Sequence, residues 1–309
     1  MESKNLNNGD YGNIPGNAPQ PEANDRGSYD GLFNVPFNQR QNDDFDPVAW
    51  GEQKQATRQE LYDTIEEMAD KTLADPDALS EYLNMQARMG KMSVANTLLT
   101  VAQKPEATYA MSFDDWQQKG RSVRKGEKGF MILEANGEYE REDGTLAMSF
   151  DAKRVFDVAQ TYGKPLRERT VPTIKSAMKA LTTDSPVAIQ LTDDVSPSVV
   201  AEYYEEDNSI HVARGCEGKD LFFAISRELA RAEQGGTPFL CDCAANIACL
   251  RYGVPTRYCD RVPNDMAAME PREKRGALGM VREAACSTIE RVDRNLYLER
   301  QQVRNQPER

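Results

Sequence analysis

The chain has 309 residues, and its 38 basic side chains are outnumbered by 50 acidic ones for a net charge of −12. That balance argues against a protein coated in nucleic acid but leaves room for a local basic face. No run of about 18 apolar residues is present, and the N-terminus, MESKNLNNGDYGNIPGNAPQPEAND, has neither the basic start nor the apolar centre of a signal peptide, so a soluble, cytoplasmic protein without membrane contact is expected.

Residues 1–48 are rich in Asn, Gly, Pro and Asp and poor in aliphatics; such a segment buries too little surface to offset its chain entropy. It is expected to be a disordered acidic tail, since the first 50 residues carry three cations against eight anions. In the stretch from Trp50 to Met89, Leu61, Ile65 and Met68 fall at helical spacing, and Asp75-Pro76 marks a break before a second amphipathic helix. A third helix follows over SVANTLLTVAQ, and a short one is predicted to start at Ser112, where Ser-x-x-Asp is a capping signal. From Gly129 the pattern changes to short β-like runs: FMILE, then a hairpin turning at Asp143-Gly144, then KRVFDVAQT. This α+β domain, residues 49–165, is expected to end at the basic, Pro-bounded connection KPLRERTVP.

A second α+β domain is expected over 166–302. It begins with the helix TIKSAMKALTTD and continues through the strands VAIQL and VVAEYYEEDNSIHVARG, the latter turning at Asp207-Asn208. Helices over LFFAISRELARAE, FLCDCAANIACLRYG and the long EPREKRGALGMVREAACSTIERVDRNLYLERQQ complete it, and residues 303–309 are expected to fray. The six cysteines, Cys216, Cys241, Cys243, Cys249, Cys259 and Cys286, lack the spacing of a disulfide framework and are expected to be free, mostly buried thiols. On a helix, Cys241 and Cys243 point to opposite sides and cannot chelate one metal. His211, the only His, sits in a strand-like segment and is expected to be structural.

Two constellations bear on chemistry. In residues 117–128, QQKGRSVRKGEK, the cations Lys119, Arg121, Arg124, Lys125 and Lys128 accompany one anion, Glu127. Glycines let backbone N–H groups approach an anion and the cations neutralise phosphates; Trp116 either offers a face on which an unpaired base stacks or belongs to the core. The order Asn96, Leu98, Leu99, then Trp116, then Gly120-x-x-Val123-Arg124-Lys125-Gly126-Glu127-Lys128-Gly129, then Val155-Phe156-Asp157-Val158-x-Gln160-Thr161 resembles the N-terminal domain of the ArdC-like antirestriction proteins of plasmids and conjugative elements. The resemblance implies helices with a small antiparallel sheet and sequence-tolerant binding of single-stranded DNA, with double-stranded DNA as an alternative. The expected contacts are Arg88, Lys91, Asn96, Trp116, Arg121, Arg124, Lys125 and Lys128.

The second is FFAISRELARAE, residues 222–233. It has the frame of a zinc-peptidase helix, H-E-x-x-H, in which two His share a face and the Glu serves as general base, but Arg227 and Arg231 occupy both His positions. A guanidinium has no free lone pair and stays protonated, so it cannot ligate zinc. The flanking residues resemble the metallopeptidase-like domains that follow ArdC-type N-domains. That match puts Glu228 at the general-base position and Asp242 at the third-ligand position, in a degenerate zincin-like domain without metal, cofactor or peptidase activity. Two Arg at i, i+4 need counter-charges; Glu228, Asp242, Glu205 and Glu206 are the candidates. No P-loop, dinucleotide fingerprint or Ser/His/Asp grouping is present. The expected function is a non-catalytic, single-stranded-DNA-binding accessory protein of a mobile element or phage that counters restriction or a host defence protein. The alternative is a protein–protein interaction module in which the basic turn is incidental.

Overall fold

In a computed structural model of the chain, the described residues are 46–305 apart from 142, 168, 194–198 and 258, and apart from the side chains of 303–305. Of the acidic tail expected over residues 1–48, residues 1–45 lie outside them; of the end expected to fray over 303–309, residues 306–309 lie outside and the backbone of 303–305 is helical. Within residues 46–50 a helix has already begun, with the Asp46 carboxylate accepting the N–H groups of Val48 and Ala49 at 2.9 and 3.2 Å.

The first helix, α1 (Pro47–Thr72), buries Leu61, Ile65 and Ala69 on one face, while Met68 is half-buried. The Asp75 side chain then caps α2 (Pro76–Met89), whose N-terminal Pro needs no N–H partner. Ser93 caps α3 (Val94–Gln103) in the same way. After the short strand β1 (Ala110–Ser112), the Ser112 hydroxyl accepts the Asp115 N–H to start α4 (Phe113–Gln118). Then come β2 (Arg121–Val123), β3 (Phe130–Glu140), β4 (Leu146–Asp157), a 3-10 turn over Val158–Gln160, and β5 (Thr161–Gly163). The expected short runs are in fact two long strands. FMILE continues past an irregularity between Ala135 and Glu138, and KRVF belongs to the same strand as LAMSFDA.

The second half contains α5 (Ile174–Thr182), β6 (Ala188–Thr192), β7 (Ala201–Tyr204), β8 (Ser209–Ala213), α6 (Gly218–Gln234), α7 (Pro238–Tyr252), the single-turn α8 (Asn264–Ala267) and α9 (Pro271–Asn305). The sheets are small: β1-β4-β3 and β2-β5 are antiparallel, while β6-β8-β7 is mixed, with β6 parallel to β8. The architecture is α+β. Gly51–Arg309 forms one compact unit. The main hydrophobic core runs through it without a break at residue 165, from Leu61 and Ile65 by way of Leu98, Leu99 and Leu181 to Val292 and Leu296. Helix α9 packs against α3, α5, α6 and α7, and Arg282 on it donates to the carbonyls of Met92 and Lys91 at 2.7 and 2.6 Å.

Short sheets leave unpaired edges, and buried backbone groups there must find partners. Strand β3 bonds only β4. On its other side the Asn96 amide donates to the Leu133 carbonyl (2.9 Å) and accepts the Leu133 N–H (2.8 Å). Two helical turns along α3, Gln103 repeats the pattern on Met131 at 2.8 and 2.9 Å. Helix α3 thus acts as a side-chain surrogate for a missing strand. Replacement of Asn96 by Ala leaves both Leu133 groups unpaired; the expected loss is about 2 kcal/mol, read from urea denaturation. An unchanged midpoint and slope would show that this edge does not depend on Asn96.

Candidate functional site

The basic turn is built by residues that carry no positive charge. The Asp157 carboxylate is buried, and it accepts the N–H groups of Thr108 (2.6 Å), Tyr109 (3.0 Å) and Ala159 (2.8 Å). Gln160, also buried, accepts the Asp157 N–H at 2.9 Å and donates to the Glu127 carboxylate at 3.0 Å and the Lys128 carbonyl at 2.9 Å. Its own carbonyl accepts the Arg124 N–H at 2.9 Å. Between these fixed points Arg124–Glu127 form a reverse turn, closed by Glu127 N–H to the Arg124 carbonyl at 3.3 Å, with Gly126 at φ +87°. Only glycine adopts that φ without strain. A Cβ on Gly129 would lie 2.5 Å from the Val155 carbonyl oxygen, so the chain leaving the turn presses directly on β4.

The turn therefore presents Arg124, Lys125 and Lys128 to solvent. Among the described residues none of these cations has an ion-pair partner; the Arg124 guanidinium touches only the Ala159 carbonyl. Glu127, the one acid in the run, is held by Gln160 instead.

The other expected contacts have different roles. Trp116 is fully buried and its indole N–H is spent on the Phe156 carbonyl at 2.9 Å, so it is core and cannot stack a base. Asn96 is committed to Leu133, as described above. Arg121 spends three donors tying β2 to β5, on the Thr161 hydroxyl (2.8 Å), the Thr161 carbonyl (3.2 Å) and the Lys164 carbonyl (2.6 Å). Arg88 is exposed, with one donor on the Pro105 carbonyl at 2.8 Å. Lys91 pairs with Glu290 at 2.8 Å, a contact that raises its pKa, and shares a cleft with Arg282 and Arg294 rather than with the turn. Two aromatic faces were missed. Tyr162 is 59% exposed and pairs with Ser122, one step from the turn, and Tyr109 is 40% exposed with its ring edge-to-face with Trp116. The signal for Tyr162 was its place directly after Thr161, where strand alternation turns the next side chain outward.

In the second constellation α6 buries Phe222, Phe223, Ile225, Leu229 and Glu228. The Glu228 carboxylate has both oxygens engaged: one accepts the Arg227 Nε–H at 2.6 Å, the other the Tyr203 N–H at 3.0 Å. Arg227 also donates to the Ala201 carbonyl at 3.1 Å. Ala201 and Tyr203 lie on the free edge of β7, so this ion pair closes a second sheet edge. Arg231 departs from the expectation: it is exposed and, among the described residues, has no ion-pair partner. Glu205 and Glu206 likewise pair with neither arginine. Asp242 lies close enough for its ionisation to respond to Arg227 and Glu228, and one of its oxygens is buried without a hydrogen bond. Burial pushes its pKa up, against the pull of Arg227 and Arg257 and with a smaller push from Glu228.

Among the described residues no three His, Cys, Asp or Glu side chains come together as a metal-binding group. With a guanidinium against Glu228, the residues present do not fit a zinc ion. His211 packs on Tyr204, centroids 4.5 Å apart, with Nε2 3.4 Å from the Asp207 carboxylate but making no hydrogen bond. Cys241, Cys243 and Cys249 are buried thiols and the other three cysteines are half-buried. Burial pushes Cys241 up to about 11 and Cys249 up to about 12, while a hydrogen bond from Cys243 lowers Cys259.

Two measurements check this account. Arg227→Met leaves Glu228 charged and buried with one partner, and should cost about 2–3 kcal/mol, below the full cost of breaking a buried pair because Arg227 is partly solvated. Adding Glu228→Leu should restore most of the loss, and additive effects in that denaturation cycle would contradict the pairing. For Asp242, a raised pKa means that the folded state binds its proton more readily than the unfolded state, so its contribution to stability falls as pH rises through the folded pKa. Asp242→Asn should therefore gain on the parent near neutral pH and lose that advantage in mild acid. A pH-independent difference in melting temperature would refute this.

Residues 52–178 match the family model for the N-terminal domain of the anti-restriction factor ArdC. No curated protein matches the chain. Among solved structures, the metal-free crystal structure of the antirestriction ArdC protein from the R388 plasmid is similar at 16% identity and a TM-score of 0.50, over 76% of this chain and 98% of that one. The Mn(II)-bound structure of that protein is similar at 16% identity and a TM-score of 0.44, over 65% and 87%. At this identity the structural likeness bears on the fold, and it agrees with the α+β arrangement described above. Over residues 52–178 the chain is ArdC-like: the motifs, the family match and the fold agree on a domain of the ArdC N-terminal type.

Proposed function

We propose that the protein binds single-stranded DNA through the Arg124–Lys128 turn and acts without catalysis as an accessory antirestriction factor. The observation that carries this reading is the turn itself: three exposed cations on a backbone fixed by Asp157 and Gln160, with the Glu127 carboxylate hydrogen-bonded by Gln160 and, among the described residues, paired with none of the three. A preorganised cationic turn pays little ordering entropy when it meets phosphates. Exposed Tyr162 and Tyr109 take the stacking role that buried Trp116 cannot fill, and stacking on a side chain requires an unpaired base. The preference for a single strand follows.

The absence of catalysis rests on Arg227 and Glu228. A carboxylate with both oxygens occupied and a guanidinium alongside is a poor general base, since accepting a proton would break the contacts holding α6 to β7. The antirestriction role rests on the family, and protection of incoming DNA or obstruction of a host defence protein both fit it.

Titration of a labelled single strand at several salt concentrations tests the reading. Binding should weaken with salt, with a slope of about −0.7 per phosphate neutralised. Arg124→Ala/Lys125→Ala should weaken binding and flatten that slope by about 1.4. No binding at low salt, or equal binding of duplex, would sink the single-strand reading.

A further inference from the structure

A groove of about 670 Å³ lies outside the basic turn, lined by the C-terminal end of α2, the segment before β1, the residue following α4, residues Leu166, Arg167 and Arg169, and the C-terminal end of α7. Its lining includes Arg88, Lys119, Arg167, Arg169 and Arg251, together with Tyr109, and among its described residues there is no carboxylate. In a chain with 50 acidic side chains and a net charge of −12, five cations around one hollow without an acid need an explanation.

Three of the arginines have partial structural roles. Arg251 donates to the carbonyls of Ala87 and Arg88 at 3.1 and 3.3 Å, the orphan acceptors at the end of α2. Arg88 reaches the Pro105 carbonyl, and Arg169 reaches the Arg251 carbonyl while stacking 5.3 Å from the Tyr252 ring centre. These contacts fix the guanidiniums in place, but carbonyls leave their charge uncancelled. The Nε of Arg251 is buried without any hydrogen-bond partner. Burial and the neighbouring Arg251 charge together draw the Arg169 pKa down, against a weaker opposite pull from Asp293, as expected where positive charge outweighs negative. Lys119 and Arg167 are exposed and, among the described residues, make no side-chain hydrogen bond or ion pair.

The groove also continues the turn. Lys119 sits next to Gly120, whose carbonyl accepts the Lys164 N–H at 3.1 Å where the β2–β5 ribbon ends, and Arg167 follows three residues later. Tyr162 stands on that ribbon and Tyr109 on the groove wall, so an exposed aromatic ring accompanies the turn's cations and another those of the groove, the two elements that a phosphate–base repeat uses. The adjoining hollow shares Arg167, Arg169 and Arg251 and adds Arg300, but it also brings in Asp293 and Glu299, two carboxylates that the groove lacks.

We infer that the groove between Arg88, Lys119, Arg167, Arg169 and Arg251 is a second phosphate-binding segment, which takes the continuation of the single DNA strand held by the Arg124–Lys128 turn. This rests on the proposed single-strand binding, and it makes the second half of the chain part of the nucleic-acid interface.

The test uses the full chain and two labelled oligonucleotides, one of about 5 and one of about 20 nucleotides, within and beyond the footprint of a small binding module. Lys119→Gln/Arg167→Gln removes the two cations that hold nothing else. It should weaken binding of the long strand several-fold and flatten its salt slope by about 1.4, while the short strand, held by the turn, is bound as before. Lys119→Glu/Arg167→Glu should enlarge the loss on the long strand. Unchanged affinity and slope on the long strand in both variants would overturn the groove assignment while leaving the turn standing. A duplex that shows the same dependence on Lys119 and Arg167 would overturn the assignment to a single strand. If the parent protein binds neither oligonucleotide at low salt, the proposed function itself fails, and the groove assignment with it.

Discussion

The constraint on which this structure depends is the closure of sheet edges by side chains carried on helices. A two- or three-stranded sheet has nearly as much edge as interior, and each outward N–H or C=O that is buried unpaired costs on the order of 1–3 kcal/mol. Asn96 and Gln103 on α3 supply those bonds to β3, and Arg227 with Glu228 on α6 supplies them to β7. The two devices differ chemically, one made of neutral amides and the other of an ion pair. They do the same mechanical work: each fixes the angle and register of a helix against the strand it covers. The helices so fixed then meet in a common core with α9.

That constraint changes how the helix FFAISRELARAE is understood. From the sequence, replacement of both His positions by Arg reads as a loss of chemistry. In the structure Arg227 is a gain in architecture, because its guanidinium reaches the Ala201 carbonyl while its Nε–H neutralises a carboxylate that would otherwise be a buried, unpaired charge. Glu228 in turn is committed to the Tyr203 N–H. Arg231, four residues on, faces solvent. The helix therefore turns only one of its two arginines toward the β7 edge, and the pair does not behave as a unit.

What could be read in the sequence follows the range of the forces involved. Local signals were legible: Asp75-Pro76, Ser93 and Ser112 start helices, and Asp143-Gly144 turns a hairpin, because capping and turn chemistry are decided within four residues. The chemical exclusion of a zinc ligand at Arg227 was legible too, since it needs only the properties of a guanidinium. The partners of Asn96, Trp116 and Arg121 were not. Each bonds a residue about 40 positions away, Leu133, Phe156 or Thr161, and a polar group on a motif residue looks the same whether it is aimed at DNA or at its own backbone. The three-residue strands β1, β2 and β5 carry too few residues for a period to show, and they exist because longer neighbours pair with them.

The segment V-F-D-V-A-Q-T acquires a physical meaning from the same reasoning. It contains no cation, yet Asp157 and Gln160 determine the shape in which the cationic turn is displayed. By holding the Arg124 N–H, the Glu127 carboxylate and the Lys128 carbonyl, Gln160 restricts the freedom that would let Lys125 and Lys128 fold back onto Glu127. A flexible run of the same composition would lower its energy by internal pairing and present a nearly neutral loop. The rigid one keeps positive charge concentrated on a chain whose total is −12. On such a molecule the acidic remainder repels any polyanion, and only surfaces where the field changes sign can attract one. Local charge, rather than net charge, sets what such a turn can attract, and Asp157 and Gln160, which hold it open, matter as much as the lysines and arginine that it displays.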